Sequence, residues 1–508
     1  MTLKKNKLEK LKKKKVFEKL LCYGLFQEKL AKIFSSEKYG KWILKNELEI
    51  KKIKPFSNIT FHLTRNNNAP RLINIPHPIS YYFLCKEITN NWDKISKHIG
   101  QVDDYTNRSM IIPKPNNLNN RLVSMLSYDR NKDEKFLMLD KSFQAKYFVN
   151  ADIANCYPSI YSHSISWALV GISEAKTNKN NHEIWYNKLD ATNRAVQRNE
   201  TVGIPIGPDT SNVLSEIILS QIDKNLIEYN YFRFIDDYKC YCKSKEEADN
   251  FIKNLSKELE KFHLRLNQKK TQIIELPKTI EEDWVRELKA FSNKFLTHKE
   301  YSKKNINSIS EFFDLSIKLS KKNPNDSAIR YAVKIISEKI FSDNDVYAFI
   351  LMYLSRLCFI YPYFIDVFDD IIDKNPLNGK LKDLISKEIN SIIKEHLEYS
   401  RSDVALWGLH ISMKNNLLID NFEEYSNYLI EDRDCLPTLL CYFYSKKNKI
   451  SVSKYFDLIN DLKNESLEDE WWLYIYSLYF DSPNKTQFNN INNKKFYKDM
   501  LQNKITFY

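Results

Sequence analysis

The sequence predicts an α+β protein in which a small sheet is followed by an all-helical second half. Three observations support this prediction. Residues 147–153 form an apolar run typical of a buried strand, and residues 232–242 alternate as two short strands do. The chain has only 8 glycines, and its second half is especially poor in them, as helices are. From about residue 296 onward, apolar residues recur three and four positions apart in successive segments.

The length and composition indicate several folded domains and a polyanionic partner. A chain of 508 residues is too long for one compact core, so we expect two or three domains. Apolar residues make up 43% of the sequence and aromatic residues 13%, which excludes a mostly disordered chain. The formal net charge of +13 favours nucleic acid over a membrane as the partner, unless it only reflects a Lys- and Asn-rich proteome.

The cysteines and the apolar segments predict a reduced, cytoplasmic protein. The 8 cysteines show no metal-binding spacing, and Cys240 and Cys242 lie two residues apart, as on one face of a strand. No apolar signal core follows the Lys-rich start of the chain. Residues 348–368 are largely apolar but contain Arg356 and Pro362, so we expect a buried helix pair and no membrane span.

Residues 1–50 are predicted to form a basic helical arm, followed by a mixed region over residues 51–295. The arm could bind a nucleic acid strand or a partner, and a solvated helix end is an equally good interpretation. Its basic face consists of Lys4, Lys5, Lys7, Lys10, Lys12, Lys13, Lys14 and Lys15. In the mixed region, residues 113–125 look like a hairpin that carries Lys114 and Arg121, two cations that could hold a triphosphate.

Two further segments of the mixed region carry candidate site residues. Asp152 ends the strand 147–153, and a carboxylate at the C-terminal end of a strand is well placed to hold a metal ion. The loop 203–208 contains Gly203 and Gly207, which would let the backbone approach a base pair closely. This loop ends at a proline that suits the first turn of the helix that follows.

Asp236 and Asp237 lie between two short predicted strands, at the tip of a hairpin. Like charges this close repel, and a fold rarely places them together without a compensating cation. An ordinary surface turn is the alternative for this dipeptide taken alone. A helix over residues 244–259 and a strand at 273–274 follow. The order from Asp152 is therefore strand, helix, helix, hairpin, helix, strand, which is close to a ferredoxin-like fold.

Residues 296–508 are predicted to form a helical domain without a catalytic constellation. Two helix starts, at residues 326–329 and 403–406, look alike. Their similarity is too weak to fix the period of a repeat, so stacked helices are the preferred interpretation.

Four blocks in order within residues 70–280 resemble the palm motifs of reverse transcriptases. The blocks are Asp152 with residues 156–160, residues 203–207 with Ser211, residues 234–237, and residues 266–271. Lys114 and Arg121 match the fingers motif of these enzymes more loosely. Phe234 stands where many reverse transcriptases have Tyr, and Ile206 where many have Gln. Neither departure removes a metal ligand, although contacts to a template–primer are affected.

The long helical second half narrows the resemblance. An ordinary reverse transcriptase continues with a three-helix thumb, whereas this chain is similar to the bacterial abortive-infection (Abi) reverse transcriptases, which act in antiphage defence. That family implies reverse-transcriptase fingers and a ferredoxin-like palm, followed by a HEAT-like helical repeat in place of the thumb. It also implies untemplated DNA synthesis in the bacterial cytoplasm, priming from a protein hydroxyl, and a homo-oligomer without a membrane partner.

The resemblance implies roles for the candidate residues. Asp152 and Asp236 would bridge two Mg²⁺ or Mn²⁺ ions, with Asp237 and the backbone carbonyl of Ile153 in support. The expected nucleotide-binding residues are Lys114, Arg121, Tyr157, Gly207 and Lys270.

Two of these nucleotide-binding residues have more specific expected roles. The ring of Tyr157 would lie under the sugar and collide with a 2′-hydroxyl, so deoxynucleoside triphosphates are the expected substrates. Lys270 would stabilise the leaving group, or would be a solvated lysine after a turn.

The product and the priming group are less defined. The family implies single-stranded DNA attached to the protein, and Tyr23 and Tyr39 are two reachable tyrosines among many. One alternative is a template-copying reverse transcriptase of the retron or retroelement kind. Another is a nucleic-acid-binding scaffold whose palm no longer catalyses.

Overall fold

The structure is a computed structural model that describes residues 11–50, 53–65, 70–100, 108–114, 120–123, 130–295, 303–324 and 327–508. Part of the predicted basic arm, with Lys4, Lys5, Lys7 and Lys10, lies outside the described residues. So do residues 115–119 and 124–125 of the predicted hairpin and residue 326 of the first helix start compared above.

A four-stranded antiparallel sheet forms the centre of the first half. Its strands are β3 (Tyr147–Asp152), β4 (Tyr231–Phe234), β5 (Asp237–Cys242) and β6 (Gln272–Glu275). They lie side by side in the order β4-β5-β3-β6. This order is that of the predicted ferredoxin-like sheet, because the first strand of the motif lies between the third and the fourth. Five helices connect β3 to β4, where the sequence predicted two.

Alternation along the strands divides the sheet into two faces. Val149 belongs to the main core, whereas Phe148 and Tyr241 belong to a smaller apolar cluster on the other face. Phe148 pairs with Tyr241 and Asp152 pairs with Asp237 in the register of β3 and β5. Since side chains two residues apart share a face, the two carboxylates lie on the face of the smaller cluster.

A separate antiparallel hairpin precedes the sheet. Its strands are β1 (Ile59–Thr64) and β2 (Pro70–Ile75), with Thr64 opposite Pro70 and Leu63 opposite Arg71. One face is buried through residues such as Phe61. The sequence analysis did not identify these strands.

Helices surround the two sheets. Those of the first half are α1 (Lys13–Tyr23), α2 (Glu37–Ile43), α3 (Pro78–Asn90), α4 (Trp92–Gly100), α5 (Arg130–Ser142), α6 (Cys156–Ser159), α7 (Ser164–Val170), α8 (Ile172–Thr177), α9 (Trp185–Ala195), α10 (Asp209–Lys224), α11 (Lys245–Glu260) and α12 (Asp283–Phe295). Those of the second half are α13 (Ile306–Lys322), α14 (Ala328–Ser337), α15 (Asn344–Ile360), α16 (Ile365–Lys374), α17 (Gly379–Leu397), α18 (Ser402–Asn415), α19 (Phe422–Glu431), α20 (Cys435–Lys447), α21 (Ser453–Asn464), α22 (Trp472–Asp481) and α23 (Lys494–Gln502).

The second-half helices stack in succession. Helices α14, α16, α18, α20 and α22 form one continuous layer, in which each contacts the next. The apolar stretch 348–368 lies in helices α15 and α16, which are joined by a turn over Pro362–Phe364. This is the helix pair that the sequence predicted. Within the described part of the chain, no helix combines the length and apolarity needed to cross a bilayer.

The first and last parts of the chain share one core. Phe507 is fully buried, and its ring centroid lies 5.4 Å from that of Tyr39 and 5.0 Å from that of Trp472. The backbone N–H of Ser35 donates to the Phe507 carbonyl at 2.7 Å. The helical second half therefore returns to contact the N-terminal region.

Candidate active site

The sheet brings three carboxylates to one edge. Asp152 is the last residue of β3, and its register partner Asp237 is the first residue of β5. Asp236 lies in the tight turn between β4 and β5, which Ile235 enters with a left-handed φ of 55°. The backbone N–H of Ile153 donates to the Asp236 carbonyl at 3.2 Å. The hairpin tip is therefore tied to the end of β3, and the three acids come from distant parts of the chain.

Asp152 is held by the segment that follows α11. Asn267 donates its side-chain N–H to Oδ1 of Asp152 at 3.1 Å, and its backbone N–H donates to the Asp152 carbonyl at 2.7 Å. Lys270 donates its ammonium to Oδ2 at 3.1 Å. Asp152 is buried, whereas the Lys270 side chain is 60% exposed. The Lys270 side chain therefore covers Asp152 from the solvent side.

Electrostatic crowding changes the acidity of the hairpin pair. Burial, a hydrogen bond to Asp152 and the charges of both other carboxylates raise the pKa of Asp237 to about 7. Burial also raises the pKa of Asp236, against the opposing charges of Lys270 and Arg71. Bringing negative charges together costs free energy that a cation would recover.

The donor chemistry of this edge fits a hard divalent cation. Carboxylate and carbonyl oxygens are the ligands that Mg²⁺ and Mn²⁺ prefer. Within the ranges that the structure describes, no three acidic, His or Cys side chains stand in a ready-made metal-binding arrangement. Lys270 and the hydrogen bond from Asp237 engage Asp152 instead. A cation would have to replace these two partners.

A cationic cluster that was not expected from the sequence includes one residue, Arg71, whose charge interacts with that of Asp236. It consists of Lys29, Arg65, Arg71 and Arg330, whose charges act on one another. Partial burial and the neighbouring Arg65 lower the pKa of Arg71, while the charge of Asp236 opposes them. Arg71 is the second residue of β2, and Arg65 directly follows β1. The acids and the cationic cluster together could accommodate a metal-bound polyphosphate. Recognition of the β1–β2 hairpin would have revealed both arginines.

Arg121 lies elsewhere, which corrects the expectation from sequence. Its side chain is buried and its Nη2 lies 2.5 Å from Oδ1 of Asp209, a fully buried residue at the start of α10. The guanidinium also donates to the carbonyl of Phe26. Because these groups engage the guanidinium inside the protein, its contacts are those of a structural residue. The backbone N–H of Lys114 donates to the Leu122 carbonyl at 3.0 Å, and phosphate binding by Lys114 stays a prediction.

Gly207 also has a structural reason to be glycine. Its φ is 132°, and a β-carbon there would lie 3.2 Å from Cβ of Gln27 and 3.3 Å from the Asn74 carbonyl. The neighbouring Ile206 accepts a hydrogen bond from the backbone of Asn74 at 2.8 Å. The glycine thus lets the loop pack against β2. Close approach to a base pair, the expectation from sequence, stays a prediction.

Tyr157 is fixed at its hydroxyl. The phenol O–H donates to Oδ1 of Asn212 in α10 at 2.6 Å, and burial raises the pKa of this tyrosine. Ile204 donates its N–H to the Tyr157 carbonyl at 3.0 Å. The charge of Asp236 acts on Tyr157, so the ring lies near the acids.

The two tyrosines considered as priming groups differ in access. Tyr39 is fully buried and donates to the Pro78 carbonyl at 2.8 Å, so it is not reachable as the sequence suggested. Tyr23 is half-buried and donates to Oε1 of Glu37 at 3.2 Å.

Comparison with known proteins adds a family to this geometry. A family model described as "Reverse transcriptase (RNA-dependent DNA polymerase)" matches residues 78–305, which include all three carboxylates and Lys270. No curated protein matches the chain.

Solved structures that resemble the chain include telomerases, and the similarity to each of them is low. Truncated apo telomerase from Candida tropicalis has a TM-score of 0.30 and 14% identity over 48% of this chain and 56% of that one. The fuller apo telomerase from Candida tropicalis has a TM-score of 0.32 and 11% identity over 81% and 77%. Telomerase from Candida albicans, in complex with a fragment of telomeric RNA, has a TM-score of 0.29 and 12% identity over 80% and 72%.

The chain spans about half the length of the first of these structures. The family match covers the strands and turns that bear the three acids. A reverse transcriptase domain of this kind implies a nucleotidyltransferase of the polymerase type. The chain therefore contains a reverse transcriptase domain within an α+β, helix-rich structure.

Proposed function

We propose that the protein is a DNA polymerase of the reverse-transcriptase type that adds deoxynucleotides without a template. The observation that carries the polymerase assignment is the convergence of Asp152, Asp236 and Asp237 within the matched domain. We propose that it acts as the abortive-infection reverse transcriptases of bacteria do. In that setting the protein is a homo-oligomer that acts in the cytoplasm against phage.

The proposed chemistry assigns each side chain a task. When bound, two Mg²⁺ or Mn²⁺ ions at Asp152, Asp236, Asp237 and the Ile153 carbonyl would activate the attacking hydroxyl and neutralise the leaving pyrophosphate. Lys270 supplies a positive charge that can pass from Asp152 to the leaving phosphates.

Arg65 and Arg71 supply the opposite side of the triphosphate site. The charge of Asp236 acts on Arg71 and Arg65 neighbours Arg71, which supports this role, and the two arginines replace Arg121 as the expected phosphate ligands. Tyr157 is proposed to exclude a 2′-hydroxyl. Its hydrogen bond to Asn212 supports this role, since a fixed ring discriminates shape better than a mobile one.

The second half of the chain supports untemplated synthesis. A thumb holds a primer–template duplex in an ordinary reverse transcriptase, and here stacked helices occupy the corresponding part of the sequence. These helices contact strand β1 of the β1–β2 hairpin. We therefore propose that the primer is a hydroxyl of the protein and that the product is single-stranded DNA.

The proposal is tested with purified protein, one deoxynucleoside triphosphate and Mg²⁺, without template. DNA covalently attached to the protein, seen as a mass increase removed by nuclease, is the expected result. Asp236→Asn is the matched control, because it keeps size and removes the charge. Absence of product in every condition, with or without added template, would overturn the polymerase assignment.

A template-copying reverse transcriptase is the second candidate. The family description, RNA-dependent DNA polymerase, favours it. Free DNA made only after addition of an RNA or DNA template would establish this function and exclude untemplated synthesis.

A further inference from the structure

The β1–β2 hairpin is held from both of its strands. On the β2 side, the Asn74 N–H donates to the Ile206 carbonyl at 2.8 Å, and the Ile206 N–H donates to Oδ1 of Asn74 at 3.1 Å. Of these two residues, Ile206 lies within the matched reverse transcriptase domain. It joins the hairpin to the loop that precedes α10.

On the β1 side, the hairpin is held by the helical second half. Oδ2 of Asp403 accepts the backbone N–H of Thr64 at 2.8 Å, and Oδ1 accepts the Thr64 hydroxyl at 3.0 Å. Asp403 is the second residue of α18 and is only 6% exposed. The two residues are 339 positions apart in the sequence. Strand β1 also contacts α20 and the turn Pro362–Phe364.

Burial of the Asp403 carboxylate costs free energy that a purely structural contact would not require. Burial raises the pKa of Asp403, and the two hydrogen bonds from Thr64 oppose this rise. A buried carboxylate is tolerated only when hydrogen bonds satisfy it, and Thr64 supplies both a backbone and a side-chain donor. The contact thus fixes both the position and the orientation of Thr64.

The position of Thr64 determines where the hairpin cations lie. Arg65 follows Thr64 directly, and Arg71 lies opposite Leu63, the residue before it. Both arginines belong to the cationic cluster, and Arg71 interacts electrostatically with Asp236. A rotation of the strand end at Thr64 would therefore carry the arginines away from Asp236.

We infer that Asp403 is a positioning residue through which the helical second half orients the hairpin arginines toward the nucleotide. The inference rests on the proposed function, since it assumes that Arg65 and Arg71 bind the triphosphate. It gives the helical region a part in nucleotide binding. Asp403 itself touches no substrate in this scheme and acts through Thr64.

The inference predicts a change in nucleotide affinity with little change in chemistry. Asp403→Ala removes both hydrogen bonds, so KM for the deoxynucleotide should rise about tenfold or more, while kcat stays within about twofold. Asp403→Asn keeps one acceptor oxygen and should show a smaller rise. Thr64→Val removes the hydroxyl donor alone, whereas Thr64→Ser keeps both donors and should behave as the unaltered protein.

The control is Asp481→Asn at the end of α22. Asp481 accepts from Tyr442 at 3.3 Å and pairs with Lys446 at 2.8 Å, within the helical region. It should lower the melting temperature of the helices without changing KM. If Asp403→Ala fails to fold, Asp403→Asn and Thr64→Val provide the same test.

The experiment measures KM, kcat and melting temperature for the full-length variants with one deoxynucleotide and Mg²⁺. Unchanged KM in Asp403→Ala and Thr64→Val, with normal synthesis by the unaltered protein, overturns the inference and leaves the proposed function intact. Equal KM increases in Asp403→Ala and Asp481→Asn also overturn it, because they indicate general destabilisation. No synthesis by the unaltered protein overturns the proposed function and, with it, the inference.

Discussion

Arg121 and Arg71 allow a structural cation to be compared with one that is proposed to bind the nucleotide. Arg121→Ala would leave Asp209 fully buried without its cation, although Asp209 still accepts the backbone N–H of Leu122 at 3.1 Å. Removing one partner of a buried ion pair typically costs about 3–5 kcal/mol, because the remaining charge is uncompensated. We expect Arg121→Ala to lower the free energy of unfolding by that amount.

The magnitude follows from the geometry of this pair. Nη2 of Arg121 lies 2.5 Å and Nε 3.0 Å from the same oxygen of Asp209. A second carboxylate, Glu28, has its Oε1 3.6 Å from Nε. The side chain of Arg121 is 8% exposed, so water cannot replace the lost cation. A surface pair of the same residues would be worth about 1 kcal/mol or less.

The assay is urea denaturation, followed by circular dichroism, with nucleotide KM measured in parallel. The matched variant is Arg71→Ala, which removes an exposed cation of the hairpin. Arg71→Ala should leave the unfolding midpoint almost unchanged and raise KM for the nucleotide. The reasoning is refuted if Arg121→Ala costs less than about 1 kcal/mol and raises KM instead.

Three further variants test the site and the fold. Asp236→Ala should reduce synthesis below detection in a primer-extension or self-labelling assay, because the remaining carboxylates cannot hold two ions; wild-type rates would place the site elsewhere. Tyr157→Ala should admit ribonucleotides while synthesis continues, and unchanged sugar selectivity in a competition assay would contradict the gate. Burial raises the pKa of Asp434 to about 7 from 3.8. The folded state therefore binds this proton more tightly than the unfolded state, so the contribution of Asp434 to stability falls as pH rises between these values. Asp434→Asn should reduce the difference in melting temperature between pH 5 and pH 8; an unchanged difference would argue against this shift.

The sequence was sufficient to predict the sheet and the location of its acids. Strand ends are marked locally, by apolar alternation that stops at Asp152 and resumes after Asp237. The side-chain period of two then puts Asp152 and Asp237 on one face, as the register shows. Lys270 was assigned to the site through the resemblance of residues 266–271 to the fourth palm motif.

The cations and the long-range contacts were less predictable. Arg121 and Arg71 are the same residue type in similar polar surroundings, and only the tertiary packing buries one and exposes the other. The β1–β2 hairpin has no Gly between its strands, and the turn residues that it does have, Asn66, Asn67, Asn68 and Pro70, were not used as a turn signal. Asp403 carried no local sign of its contact with Thr64, because the two are separated by most of the chain.

The core shared by Phe507, Tyr39 and Trp472 has a consequence for how the protein unfolds. A polypeptide whose last helices are packed against its first cannot lose either part without exposing the apolar surface of the other. Heating should therefore give one cooperative transition in place of separate melting of the polymerase region and the helical region. A protease cut in the connection between them should leave two fragments that stay associated.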